Sequence, residues 1–127
     1  MVQPYLIILP TDNKGRGVFA TADIPAGTTI EISPVIVMEQ KDRVHLDQTK
    51  LHDYIFEWGG ELLQCCVGLG YISIYNHAYL ANCEYEMDFE NKNISIKAVQ
   101  FIKAGEELFI NYNGDWNDNT QVWFNTK

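Results

Sequence analysis

The chain has 127 residues, of which 46% are hydrophobic and 13% aromatic, which is typical of one globular domain with an ordinary core. Asp and Glu outnumber Lys and Arg by 17 to 9, so the formal net charge is -8 at pH 7. This negative charge disfavours direct binding to a nucleic-acid backbone and favours a basic partner, although acidity also serves solubility alone.

No stretch of the sequence indicates secretion or a membrane span. Residues 5–9 are apolar, but they are too few for a signal peptide, and no longer apolar run follows. Cys65, Cys66 and Cys83 are an odd number of cysteines, and adjacent cysteines cannot easily bridge each other. They predict reduced thiols and a cytoplasmic location. Their spacing does not fit a zinc site, so no metal is expected.

The first third of the chain predicts short strands separated by turns. Residues 5–9 form an apolar run that predicts a buried strand. Residues 28–32 and 35–38 predict two further strands, one on each side of Ser33 and Pro34. Many short β-prone runs of this kind favour a mostly β domain.

Two glycines lie at the junction between the first turn and the next strand. In Gly15-Arg16-Gly17 they allow the backbone to approach a ligand closely, although a tight turn is the simpler alternative. Strand-forming residues follow them instead of a helix. They are therefore not a dinucleotide-binding fingerprint.

The middle of the chain leaves its secondary structure open. Residues 41–50 are polar and charged, which predicts a surface loop or a short helix. Leu51, Tyr54, Ile55 and Trp58 are spaced for one face of a helix, yet a strand could equally begin at Ile55. Periodicity cannot decide between helix and strand over so short a run.

Next comes a segment dense in polar side chains. Asn76, His77 and Asn82 place several hydrogen-bond donors and acceptors within a few residues, which suits a polar ligand. A turn capped by amide side chains is the alternative. Residues 85–89 and 94–98 then alternate apolar and polar side chains around a turn, which predicts a β-hairpin.

A second segment, residues 105–112, begins with Gly-Glu-Glu-Leu and continues as an apolar strand. The phenol side chain of Tyr112 lies at the end of this predicted strand. Together with residues 75–83, this segment resembles the SET-domain protein-lysine methyltransferases. That family carries Asn-His-Ser-x-x-Pro-Asn, then Gly-Glu-Glu-Leu and a short strand ending in the catalytic Tyr. Here Ala78 and Ala81 stand where the family usually has Ser and Pro.

The resemblance extends from about residue 5 to residue 116 and implies a SET-domain fold, which is mostly β with short antiparallel strands and a C-terminal pseudoknot. It implies one SET domain over residues 1–127 that transfers a methyl group from S-adenosylmethionine to a lysine of a basic protein or peptide, such as a histone tail. A histone substrate would imply a nuclear location. A homodimer is compatible with the sequence, which does not determine the oligomeric state.

The resemblance also implies roles for individual residues. Tyr112 would be catalytic, and Tyr54 and Tyr85 would line the channel for the substrate lysine. Tyr54 lies in the segment Asp53-Tyr54-Ile55-Phe56, which is similar to one in small viral SET proteins. Packing in the core or sheet is the alternative for both channel residues. The residues implied to hold the cofactor are Gly15, Arg16, Gly17, Asn76, His77 and Trp116.

Some parts of this assignment have alternatives. Trp123 or Phe124 would replace Trp116 if that residue does not close the cofactor site. His77 could act as a general base, although the family uses this His structurally. Two alternative functions are a catalytically silent SET-like module that binds a basic peptide, and a hydrolase that pairs Cys83 with His77.

Overall fold

The computed structural model describes residues 1–59, 64–113 and 117. Its strands are β1 Leu6–Pro10, β2 Arg16–Ala20, β3 Thr29–Met38, β4 Ile55–Trp58, β5 Gln64–Gly68, β6 Asn76–His77, β7 Cys83–Asp88, β8 Asn93–Ala98 and β9 Glu107–Ile110. Its helical segments are α1 Gln40–Leu46 and two 3₁₀ helices, Lys50–Tyr54 and Ile72–Ile74. The prediction of a mostly β fold is confirmed. No helix in the described ranges is long and apolar enough to cross a bilayer.

A four-stranded sheet brings residues 75–83 and 105–112 together. Its order is β1-β2-β9-β6. Strand β9 runs antiparallel to β2, with Val18 opposite Leu108, and parallel to β6, with Asn76 opposite Phe109. Residues about thirty positions apart in the sequence are therefore neighbours in the sheet. The segment ending at Tyr112 therefore lies against residues 76–82.

The five-stranded sheet has the order β4-β5-β3-β8-β7 and corrects one prediction. Residues 28–32 and 35–38 were expected to form two strands, but residues 29–38 form the single strand β3. The first part of β3 pairs with β8 as far as Pro34, and its second part pairs with β5 from Val35 onward. Proline has no N–H to donate, so it is tolerated here where the strand changes partners.

Strand β1 is not buried as the sequence predicted. It lies at the edge of its sheet, and Ile7 and Leu9 are 39% and 41% exposed, whereas Leu6 is only 6% exposed. Alternate side chains of a strand point to opposite faces. Because only one face of β1 covers the core, the other apolar side chains remain in solvent.

Residues 50–58 form a short 3₁₀ helix followed by a strand. The 3₁₀ helix ends at Tyr54, and a strand rather than a helix begins at Ile55. This strand, β4, pairs antiparallel with β5. The 3₁₀ helix begins where Thr49 accepts a hydrogen bond from the N–H of Leu51. Pairing with β5 thus decided that residues 55–58 form a strand, which the periodicity of the sequence did not determine.

The core lies between the two sheets. Val18 and Leu108 enter it from the four-stranded sheet, and Ile30, Ile94 and Ile96 enter it from the five-stranded sheet, all fully buried. The predicted hairpin is confirmed as β7 and β8, which pair from Cys83 to Asp88. Strands β4 and β7 contribute walls of the larger cavity described below.

Candidate active site

Both the nitrogen and the oxygen of the Asn82 side-chain amide form hydrogen bonds with strand β9. Its Nδ2 donates to the carbonyl of Glu107 at 2.9 Å, and its Oδ1 accepts from the N–H of Phe109 at 2.8 Å. A side-chain amide that pairs with two backbone groups acts like one more stretch of strand. The final residues of β9, and Tyr112 beyond them, are therefore held against residues 76–82.

His77 is buried and connects this segment to Tyr112. Its Nδ1 accepts the backbone N–H of Tyr112 at 3.0 Å, so the hydrogen of a neutral ring lies on Nε2. Burial, and then the positive charge of Lys14, lower the pKa of His77. Since Nδ1 is occupied and the ring stays neutral, the contacts favour a structural His over a general base.

We expect the stability of the fold to decrease when the pH falls below the ordinary His pKa. The folded-state pKa of His77 lies below the ordinary value of 6.5, so the unfolded chain binds more protons as the pH falls. The contribution of neutral His77 to the free energy of unfolding is complete above about pH 6.5 and is progressively lost below it. Thermal melts from about pH 7 to about pH 5 measure it.

His77→Asn is the matched variant for this prediction, because an Asn Oδ1 can accept the same N–H without titrating. We expect the melting temperature of the variant to fall less over that pH interval than that of the unmodified protein. An equal loss in both proteins would show that His77 is not responsible.

Hydrogen bonds hold both the side chain and the backbone of Tyr112. Its hydroxyl donates to the carbonyl of Tyr75 at 2.8 Å, and its own carbonyl accepts the hydroxyl of Tyr85 at 3.2 Å. Burial, and then the negative charges that Tyr54 and Asp53 carry when ionised, raise the pKa of Tyr112. The phenol is therefore neutral at physiological pH and its oxygen has a defined position.

The larger cavity has a volume of about 380 Å³, and we call it the aromatic cavity. Four rings and two carboxylates line it: Tyr54, Phe56, Tyr85, Tyr112, Asp53 and Glu57. The Phe56 ring centre lies 5.4 Å from that of Tyr85 and 6.4 Å from that of Tyr112. Phe56 is a wall residue that the sequence analysis missed. Its only sequence signal was its place two residues after Tyr54.

A second cavity of about 300 Å³ lies beside the first, and we call it the glycine-loop cavity. Gly15 and Arg16 line it together with Lys14. Asp53 and Tyr54 line both cavities. A molecule in the glycine-loop cavity and a side chain in the aromatic cavity would therefore meet at these two residues.

Asn76 presents one unused polar atom beside the glycine loop. Its Nδ2 donates to the carbonyl of Arg16 at 3.1 Å and to the Glu107 carboxylate at 2.8 Å. Its Oδ1, like the Nε2 of His77, is buried and has no hydrogen-bond partner among the described residues. Buried polar atoms are normally paired. This acceptor and donor fit a polar ligand such as the amino-acid end of S-adenosylmethionine.

Gly17 completes this arrangement because no side chain fits there. A Cβ on Gly17 would lie 2.5 Å from Glu107 Oε2 and 3.0 Å from Asn76 Nδ2. The Glu107 carboxylate can move away, so the fold would survive, but Asn76 Nδ2 would lose one of its two acceptors. We expect Gly17→Ala to weaken cofactor binding about tenfold, since crowding of this kind costs about 1–3 kcal/mol.

Calorimetric titration of Gly17→Ala with S-adenosylmethionine measures this effect. A melting temperature close to that of the unmodified protein would show that the fold is intact. Unchanged affinity in a folded variant would contradict the close packing of Gly17 against Asn76.

Gly15 and Arg16 line the glycine-loop cavity, whereas Gly17 in β2 and Asn76 and His77 in β6 line neither cavity. Tyr54, Tyr85 and Tyr112 line the aromatic cavity. Trp116, with its alternatives Trp123 and Phe124, lies outside the described residues. Among the described residues, no cluster of three or more His, Cys, Asp or Glu side chains could hold a metal.

The contacts of Cys83 do not favour the hydrolase alternative. Burial raises the pKa of the Cys83 thiol to about 12, and thiol chemistry requires the thiolate. His77 uses its Nδ1 for the backbone of Tyr112. Cys83, Cys65 and Cys66 are all free and buried, in agreement with the expectation of reduced thiols.

Comparisons with known proteins agree with the geometry. The sequence profile of the SET domain matches residues 15–113. A histone-lysine N-methyltransferase of Schizosaccharomyces pombe, specific for histone H3 lysine-37, is 38% identical over 125 residues. The match covers 98% of this chain and 80% of the relative.

Solved structures show the same architecture. A candidate histone methyltransferase of Plasmodium falciparum superposes with a TM-score of 0.67 at 26% identity, covering 91% of this chain and 98% of that one. Polycomb Repressive Complex 2 of Chaetomium thermophilum, bound to S-adenosylmethionine, superposes with a TM-score of 0.74 at 22% identity. That match covers 87% of this chain and 15% of the other, and it shows the fold alone.

Proposed function

Because the chain belongs to the SET-domain family and is an S-adenosylmethionine-dependent protein-lysine N-methyltransferase, we propose that the substrate lysine enters its aromatic cavity and the cofactor enters its glycine-loop cavity. The observation that carries this proposal is the contact between the two cavities, which share Asp53 and Tyr54. Methyl transfer requires donor and acceptor to approach in line, and adjoining cavities permit this approach.

The cofactor is held by groups of the glycine loop and of β6 in this proposal. Asn76 Oδ1 accepts a hydrogen bond from it, and His77 and the backbone of residues 15–17 contribute further contacts. The fit rests on the two buried polar atoms that have no partner among the described residues. Trp116 as the residue that closes this site remains a prediction. When bound, S-adenosylmethionine supplies a methyl group on a positively charged sulfur.

The aromatic cavity prepares the lysine for reaction. A free lysine has a pKa of about 10.4, so deprotonating it at pH 7 requires roughly 4–5 kcal/mol. The rings of Tyr54, Phe56 and Tyr85 exclude water around the amine, which disfavours its charged form. They also restrict the amine to few orientations. Most of the rate enhancement then comes from alignment rather than from covalent work by the protein.

Tyr112 aligns the amine in this proposal. Its ring lines the aromatic cavity, and its hydroxyl oxygen is fixed by the hydrogen bond to the Tyr75 carbonyl. A neutral phenol that donates its hydrogen keeps acceptor lone pairs on its oxygen, which suit an N–H or C–H group. The backbone of Tyr112 is held by His77.

The substrate is a basic protein such as a histone. Asp53 and Glu57 place negative charge at the aromatic cavity, which attracts a cationic peptide. The Schizosaccharomyces pombe relative acts on histone H3, so we propose a lysine of an H3-like tail as the target. This target implies a nuclear location. A homodimer also remains a prediction, which sedimentation would test.

Methyl transfer from labelled S-adenosylmethionine to purified histones tests the proposed substrate. We expect label on H3, and its position is found by mass spectrometry of the product. H3 in which lysine-37 is replaced by arginine shows whether the target matches that of the relative. Absence of label on H3, with label on another basic protein, would contradict the H3-like target.

A further inference from the structure

A buried carboxylate lies behind the site and has no role in the proposed chemistry. Glu31 belongs to β3 and is 0% exposed. Its Oε2 accepts from the Ser33 hydroxyl at 2.7 Å and from the N–H of Tyr71 at 2.8 Å. Its Oε1 accepts from the Tyr75 hydroxyl at 2.7 Å. Burial of a carboxylate is costly, and three donors offset that cost.

The backbone is fitted closely around this carboxylate. Gly70 has φ of +86°, and a Cβ there would lie 2.7 Å from Glu31 Oε2 and 2.5 Å from the Ser33 hydroxyl. Any other residue would be strained by this φ and would crowd the carboxylate. The segment that leads to Tyr75 is therefore shaped to enclose Glu31.

Tyr75 connects the buried carboxylate to Tyr112. Its side chain is 1% exposed and donates to Glu31, while its carbonyl accepts the Tyr112 hydroxyl at 2.8 Å. Burial, and then the charge of Glu31, raise the pKa of Tyr75, so its phenol keeps the proton that it donates. Two hydrogen bonds through a single residue thus join Glu31 to the hydroxyl of Tyr112.

We propose that Glu31 is a positioning residue for catalysis, which fixes the Tyr75 carbonyl and through it the hydroxyl of Tyr112. This inference rests on the proposed role of Tyr112. Without the bond to Glu31, the Tyr75 ring would lose the polar contact that fixes its position, and the ring would shift. The Tyr75 backbone would move with its ring. Small displacements of an aligning group reduce the rate of a reaction that depends on alignment.

Tyr75→Phe tests the connection, because it removes the hydroxyl and keeps the ring. We expect turnover to fall roughly two- to tenfold, the effect of one buried hydrogen bond. In a Tyr112→Phe background, the same substitution should lower turnover no further, since it acts only through the Tyr112 hydroxyl. We expect the cofactor affinity, measured by calorimetry, to stay unchanged.

Ser33→Ala is the matched control, because it removes a different hydrogen bond from the same carboxylate. It should lower the melting temperature by a similar amount and leave turnover unchanged. A second readout needs no cofactor: with ¹³C-labelled tyrosine, the ring resonance of Tyr112 should shift in Tyr75→Phe and stay in place in Ser33→Ala. The resonance is assigned by its absence from Tyr112→Phe.

Several outcomes would overturn the inference. Full turnover in Tyr75→Phe would show that Glu31 does not act on catalysis through Tyr75. An equal loss with and without the Tyr112 hydroxyl would show that the effect bypasses Tyr112. Full activity of Tyr112→Phe is a separate result, which would refute the catalytic role of Tyr112 itself.

Glu31→Gln extends the test to the carboxylate, since an amide cannot accept hydrogen bonds at both of its ends. We expect turnover to fall at least as far as in Tyr75→Phe. Where this variant does not fold, Tyr75→Phe and its controls still decide the question.

Discussion

Tyr112→Phe is expected to lower turnover about ten- to a hundredfold, equivalent to about 1.4–2.7 kcal/mol of transition-state stabilisation. The substitution keeps the ring that lines the aromatic cavity and removes only the hydroxyl that donates to the Tyr75 carbonyl. Because the backbone N–H of Tyr112 still reaches His77, the chain should follow its original path. Initial rates with labelled cofactor and a saturating basic substrate measure the change.

The fold and the cofactor affinity of Tyr112→Phe should change little. Tyr5→Phe is a suitable control, because Tyr5 is a partly buried tyrosine that packs against the core and does not line either cavity. If both variants methylated at the rate of the unmodified protein, Tyr112 would be a packing residue and its catalytic role would be wrong.

Asn76→Ala is expected to weaken the binding of S-adenosylmethionine roughly ten- to a hundredfold, because it removes buried hydrogen bonds worth about 1–3 kcal/mol. The substitution removes Oδ1, the unpaired acceptor beside the glycine loop. It also leaves the Arg16 carbonyl and the Glu107 carboxylate without their amide donor. Calorimetric titration with the cofactor alone measures the loss without any need for turnover.

Asn91→Ala provides the control for this measurement. Asn91 lies in the turn after β7, where its contacts are with Asp88, away from both cavities. Its replacement should leave the cofactor affinity unchanged. Cofactor binding by Asn76→Ala at the affinity of the unmodified protein would contradict the proposed hydrogen bond between the cofactor and Asn76.

The sequence alone predicted the features that depend on near neighbours in the chain. The hairpin of β7 and β8 followed from alternation around one turn, and the mostly β content followed from many short runs between turns. The resemblance, carried by short motifs, brought residues 75–83 and 105–112 to one site. The hairpin and the β content can be predicted because their physical cause lies within a few residues, whereas the shared site of residues 75–83 and 105–112 rested on the resemblance alone.

Only the tertiary structure decided how distant residues meet. The apolar run of residues 5–9 does not show that β1 lies at a sheet edge, and the apolar residues around Pro34 do not show which partner each half of β3 takes. The contact of Phe56 with Tyr85 and the hydrogen bond between Glu31 and Tyr75 join residues far apart in the chain. Pairing partners and buried contacts depend on how the sheets pack, which local patterns do not encode.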